Sequence, residues 1–171
     1  MHRNLKLENI MIMNLFDYSS IKLIGFNYSS KINPPSKIRC GTIGYSAPEI
    51  LKRENYNEKI DIFSIGVLTY IIQIGKFIPK PTLIDNATGN EVDNPEFIHK
   101  LDFENLSLEA KEAISRMLES NPSKRYSANE VLNLNWFKIQ NQNKINQYNS
   151  PEENIRRSTI RYFINLAIIF Q

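Results

Sequence analysis

Apolar residues are densest between Tyr56 and Gly75. Ile60, Ile62, Phe63, Ile65, Val67, Leu68, Tyr70, Ile71 and Ile72 fall on nearly every face of a 3.6-residue period, which predicts a helix buried all round. Upstream, Asn9 to Met13 and Ile21 to Ile24 are short apolar runs, partly β-branched, separated by Asp17, Ser19 and Ser20. They predict a small hairpin. Tyr28 to Arg39 is polar, carries Pro34-Pro35, and reads as a loop. The stretch 76–105, with Pro79, Pro81, Gly89 and Pro95, has the weakest pattern of the chain and is left unassigned. Ser107 is placed to cap a helix with Leu108, Ile114, Met117 and Leu118 on one face, stopped by Asn121-Pro122. Ser127-Ala-Asn-Glu130 is a capping box that opens another helix, running through Val131 and Leu132 to Trp136 and Phe137. The same start signal recurs at Ser150-Pro-Glu-Glu153. Beyond it, Ile155, Thr159, Tyr162, Leu166 and Ile169 form a stripe at helical spacing, interleaved with Arg156, Arg157 and Arg161. The expected fold class is mainly α, a helical bundle with a small β-hairpin at its start.

Composition changes this little. The 171 residues fit one domain, or one lobe of a larger one. A net charge of +3 gives no argument for nucleic acid. The single cysteine, Cys40, makes no disulfide within the chain and suits a reducing compartment. The run from Ile164 to Phe170 is broken by Asn165 and is too short to span a bilayer. The expectation is a cytoplasmic protein with no transmembrane segment.

The chemistry is carried by motifs. Met1-His-Arg-Asn-Leu-Lys-Leu-Glu-Asn9 resembles the catalytic loop of a protein kinase, His-Arg-Asp-Leu-Lys-x-x-x-Asn. Ile21-Lys-Leu-Ile-Gly-Phe-Asn27 resembles the strand leading into Asp-Phe-Gly. Cys40-Gly-Thr-Ile-Gly-Tyr-Ser-Ala-Pro-Glu49 is similar to the end of a Ser/Thr kinase activation segment. Asp61-Ile-Phe-Ser-Ile-Gly66 resembles Asp-x-Trp-Ser-x-Gly, and Asn121-Pro-Ser-Lys-Arg125 with Trp136-Phe137 resembles the family's last conserved segments. The order is the family's order over about residues 1 to 137. By this resemblance the chain is identified as a member of the Ser/Thr protein kinases, most like the calcium/calmodulin-dependent group.

The resemblance implies a C-terminal lobe over residues 1–138 with the N-terminal lobe absent; the composition and periodicity after it give a polar linker at 139–149 and a basic amphipathic helix at 150–171. The resemblance also implies structural roles for His2 and Phe26 in an apolar spine. Asp61 would hold the backbone of His2 and Arg3, and Glu49 would pair with Arg125 in a buried ion pair. Arg3 would be the partner of a phosphate on Ser29, Ser30 or Ser36. Lys6 and Asn9 match the family's phosphate and metal contacts.

Two positions depart. Asn4 stands where the family has the proton-accepting Asp, and Gly25 where it has the magnesium-binding Asp. Neither can do that work, and Asn9 alone is a poor magnesium site, since that cation favours carboxylate and phosphate oxygens. No cofactor and no metal is therefore expected for this chain alone, and ATP with magnesium only if a full kinase is active. Two function classes stay open. One is a pseudokinase lobe that binds or scaffolds protein partners. The other is a piece of an active ATP-dependent Ser/Thr kinase. The helix at 150–171 is the expected place for a calmodulin-like partner or a membrane surface, with docking on its own domain as the alternative reading.

Overall fold

The computed structural model describes residues 1–13, 21–31, 36–76, 82–84, 91–93, 102–104, 106–138, 156–157 and 159–165. They are mostly helical. Strands β1 (Ile10–Ile12) and β2 (Ile21–Leu23) pair antiparallel, with Ile10 opposite Leu23, Met11 opposite Lys22 and Ile12 opposite Ile21. This is the hairpin the apolar runs predict. Helix α1 (Pro48–Leu51) and helix α2 (Lys59–Ile74) follow. A second antiparallel pair, β3 (Thr82–Ile84) with β4 (Glu91–Asp93), lies in the stretch that the sequence pattern leaves unassigned.

Helix α2 is the core. Every residue from Ile60 to Ile71 is buried, as its all-round apolar pattern requires. Gly75 ends it at φ 72°, a left-handed cap, and its amide donates to the Ile71 carbonyl at 2.8 Å. The helix starts at Lys59 rather than Tyr56. Tyr56 instead donates its amide to the Ser36 carbonyl at 3.2 Å and anchors the preceding loop.

Helix α3 (Leu108–Met117) crosses α2 at Gly66. A Cβ there would lie 2.8 Å from Met117 Cβ and 3.0 Å from Leu118 Cδ2, so only glycine lets the two helices approach this closely. Ser107 caps α3, accepting from the Ala110 amide at 3.2 Å. The buried face is Ala110, Ala113, Ile114 and Met117. Leu108 is not on it. It sits in the first turn, 80% exposed.

The capping box is formed: Ser127 Oγ accepts from the Glu130 amide at 3.4 Å, and Glu130 Oε2 accepts from the Ser127 amide at 2.7 Å. The helix it opens is shorter than expected. Helix α4 (Ala128–Leu132) stops at Asn133, and a separate α5 (Asn135–Lys138) carries the buried Trp136 and Phe137.

Residues 156–157 and 159–165 are helical and dock on this core. The face that packs is Arg157, Ile160, Phe163 and Ile164, all buried. Thr159 and Tyr162, on the expected stripe, stay partly exposed. Ile155, Leu166 and Ile169 fall outside the described residues, as do the linker at 139–149 and the start signal at Ser150. Among the described residues no helix is long and apolar enough to cross a membrane.

Candidate functional site: the loop around Asn4

The first nine residues are held from below by α2. The Asp61 carboxylate accepts the His2 amide at 2.7 Å and the Arg3 amide at 2.8 Å, one on each oxygen. That double acceptance keeps Arg3 at φ 66°, in the left-handed region that few residues other than glycine adopt. Burial pushes the Asp61 carboxyl pKa up, while the amide donations from Arg3 and His2 pull it back. The neutral His2 ring fits its partners. Nδ1 accepts from the Asn4 amide at 3.2 Å, leaving Nε2–H to donate to the Ile24 carbonyl at 3.0 Å. Burial holds the His2 pKa below its usual 6.5, against the raising effects of the Ile24 carbonyl and the Asp61 charge. The ring lies on Phe26, centroids 4.9 Å apart, so the expected pair is in contact. His2 is buried, but Phe26 is 43% exposed.

Asn4 is fixed at two atoms. Its side-chain oxygen accepts from the Thr42 hydroxyl at 2.9 Å, and its carbonyl accepts from Asn9 Nδ2 at 2.8 Å. Asn9 also fills the space beside Gly25. A Cβ on Gly25, which has φ 81°, would fall 2.5 Å from Asn9 Oδ1. Lys6 is half-buried with extended backbone, φ −160° and ψ 165°, and like Asn4 it flanks the buried Leu5. The oxygen donors here suit a magnesium ion poorly. Gly25 offers no side-chain oxygen, the Asn9 amide nitrogen is turned to Asn4, and the described residues contain no group of three or more His, Cys, Asp or Glu able to hold a metal.

Glu49, on α1, and Arg125 form the expected bidentate pair at 2.6 and 2.9 Å, with both side chains essentially inaccessible to solvent. Arg125 also donates to the Glu119 carbonyl at 2.8 Å and the Lys59 carbonyl at 3.0 Å, and packs over the Phe63 ring at 5.0 Å. The pair thus joins α1, the start of α2 and the turn before α4.

Sequence reasoning missed Tyr56. Its hydroxyl donates to the Ile38 carbonyl at 2.9 Å and accepts from Arg3 Nη1 at 3.1 Å, with Cys40 Sγ 3.7 Å away. Arg3 Nε donates to the Tyr28 carbonyl. The guanidinium expected to meet a phosphate is therefore engaged within the chain. Ser29 donates to the His2 carbonyl at 3.4 Å, and Ser30 to that of Lys31 at 3.1 Å. Nothing in the periodicity marks Tyr56, because it acts through one hydroxyl between distant segments.

The family model for the protein kinase domain matches residues 1–137. Among similar proteins, "Probable serine/threonine-protein kinase 2" of Plasmodium falciparum is 39% identical over 142 residues, covering 80% of this chain and 27% of that protein. "CaM kinase-like vesicle-associated protein" of Danio rerio is 32% identical over 148 residues, covering 80% of this chain and 33% of the relative. "Serine/threonine-protein kinase DCLK1" of Rattus norvegicus is 36% identical over 143 residues, covering 79% and 32%. The chain belongs to the protein kinase family, as a Ser/Thr-kinase-like fragment. It spans about a quarter to a third of the length of these relatives.

Proposed function

We propose that this chain is the C-terminal-lobe part of a Ser/Thr kinase-like protein in which phosphoryl transfer is lost or severely impaired, and that it acts as a binding or scaffolding module. The division into a lobe at 1–138, a linker at 139–149 and a tail at 150–171, and a cytoplasmic location, belong to the same proposal. One observation carries it. The loop is fully supported by Asp61, His2 and Thr42, yet it presents the Asn4 amide instead of a carboxylate, beside a Gly25 with no side chain. An amide cannot take the proton of an attacking hydroxyl. Phosphoryl transfer depends on placement and electrostatic stabilisation. Losing one such group typically costs about 3–4 kcal/mol, and here two are missing.

The test is radiolabelled phosphate transfer from Mg-ATP to mixed Ser/Thr peptides, run on the full-length product alongside a variant carrying Asn4→Asp and Gly25→Asp. The expected result is no incorporation above background by the unmodified protein. Incorporation that disappears in Lys6→Gln, or that equals the double variant's, overturns the proposal. Isothermal titration with Mg-ATP should likewise show no micromolar binding.

The retained Lys6, Asn9 and Glu49–Arg125 pair, and the kinase names of the relatives, favour the second reading, part of an active enzyme. The same assay decides between them. A calmodulin-like partner for 150–171 would have to pull Ile160 and Ile164 out of the core. A calcium-dependent gel shift of the whole chain with calmodulin tests that reading.

A further inference from the structure

At Asn4 the loop presents a carboxamide, which adds two N–H donors to the oxygen that a carboxylate would share. The Asn4 side-chain oxygen is taken by the Thr42 hydroxyl, and Thr42 is itself held by the Ser46 hydroxyl donating to its carbonyl at 3.1 Å. The Asn4 carboxamide is thereby oriented with its NH2 group away from Thr42. Among the described residues that nitrogen has no partner, and neither has the Lys6 ammonium. Leu5 between them is turned into the core, while Asn4 and Lys6 both stay half-buried, an alternation that leaves the two side chains on the side away from the core. Among the described residues no carboxylate is bonded to either group. The one carboxylate between residues 1 and 13, Glu8, is exposed, and both Asp61 oxygens are committed to backbone amides. The result is a half-buried spot with amide and ammonium donors. Such a spot does not orient a neutral hydroxyl for reaction. It complements a group that only accepts hydrogen bonds and carries negative charge, because charge-assisted bonds from N–H to oxyanions are the strong ones.

We infer that Asn4 and Lys6, oriented by Thr42, form a recognition site for an anionic oxygen-bearing side chain on a protein partner. Phosphoserine, phosphothreonine and glutamate share that chemistry. The inference rests on reading the chain as catalytically impaired, and it gives that reading a ligand class: the site would hold an already phosphorylated or acidic residue where the family's motif would present a carboxylate to a hydroxyl.

The test uses the full chain and degenerate peptides with a fixed central residue, read by fluorescence anisotropy. The central residue is serine, phosphoserine, phosphothreonine or glutamate. At least tenfold tighter binding of a phosphorylated or glutamate set than of the serine set is expected, and the tighter arm identifies the source of the anion. Asn4→Asp keeps the size and the Thr42 bond but replaces donors with negative charge, and should erase the preference. Lys6→Gln should weaken the anionic sets at least tenfold and bring them close to the serine set. Thr42→Ala should reduce the preference partially by freeing the Asn4 carboxamide. Equal binding of all sets, or an undiminished preference in both Asn4→Asp and Lys6→Gln, overturns the site. Phosphate transfer to the serine set by the unmodified chain would instead overturn the impaired-kinase reading beneath it, so the two failures are distinguishable.

Discussion

Glu49 is a carboxylate with almost no solvent contact, and its charge is balanced by one guanidinium. Replacing it with glutamine keeps the volume but leaves Arg125 charged and buried. Removing one partner of such a pair costs about 3–5 kcal/mol. Glu49→Gln is therefore expected to move the urea midpoint of the chain sharply down, whereas a change at the exposed Glu54 should not. His2 supplies a pH dependence. Burial lowers its pKa from 6.5, so the unfolded chain takes up a proton at a higher pH than the folded one. Stability from this residue is full above pH 6.5 and is lost as the pH falls through the lower folded value. The geometry says why: a proton on Nδ1 would face the Asn4 N–H. Urea midpoints measured on either side of pH 6.5 should show the decline, and His2→Gln should flatten it. An unchanged slope in His2→Gln would assign the titration elsewhere. At this scale the motifs were readable. The letters at Asp61, Glu49 and Arg125 announce their contacts through the family resemblance. The tie of Arg3 to Tyr28 and Tyr56 was not readable, because a side chain reaching a carbonyl and a hydroxyl far along the chain leaves no trace in spacing.

Among the elements, start signals were legible where they are local. Ser107 and Ser127 each act within one turn of their own position, so the sequence near them suffices. Phase was harder. Leu108 is large and apolar but stands at the start of α3, while the small Ala110 and Ala113 supply the buried face and give little signal in an apolar count. The last helix has apolar residues on two sides. Thr159 and Tyr162 lie on one, Ile160, Phe163 and Ile164 on the other, and only packing against the core selects the second. That choice is reinforced by Arg156 donating to the Gln73 carbonyl at 3.4 Å and Arg161 to the Phe137 carbonyl at 3.2 Å. Both acceptors lie in last turns, where helices leave carbonyls unpaired and carry partial negative charge. Arg157 lies over Trp136 at 5.8 Å. The helix is thus a strap across the ends of α2 and α5. Ile160→Ala should cost about 2–5 kcal/mol, as for other large-to-small core changes. The same change at Tyr162, which is partly exposed, should cost clearly less. Equal thermal shifts for the two variants would restore the stripe expected from sequence.

Across the whole molecule, the core centres on α2, and the Asn4 loop and the β1–β2 hairpin lie towards a less covered end. Met11 and Ile12 are neighbours on a strand and so point to opposite faces of the hairpin. The face carrying Met11 is open, with Met11 46% exposed, whereas the opposite face packs on the core at Ile10, Ile21 and Leu23 and leaves Ile12, 48% exposed, at its end. Met13, Ile24, Phe26 and Tyr28 add exposed apolar surface on the same segments. Scattered exposed apolar residues are ordinary, but this many on a hairpin and the turn after it form the kind of surface that marks contact with another body. The expected consequence for the chain in isolation is self-association at micromolar concentration, with binding of a hydrophobic dye. Met11→Lys with Met13→Glu removes apolar area without touching the core, so folding stability should change by roughly 0.5 kcal/mol or less per site. Dye binding and the sedimentation coefficient should both fall. A chain that sediments as a monomer before the change, with no dye bound, would mean that the face is not sticky enough to matter. Association that survives the double change would locate the contact elsewhere. Because these residues border Gly25 and His2, a body covering the hairpin would also wall the Asn4 site, and the affinity of that site for anionic peptides should then rise when the face is occupied, since charge-assisted hydrogen bonds strengthen as water is excluded.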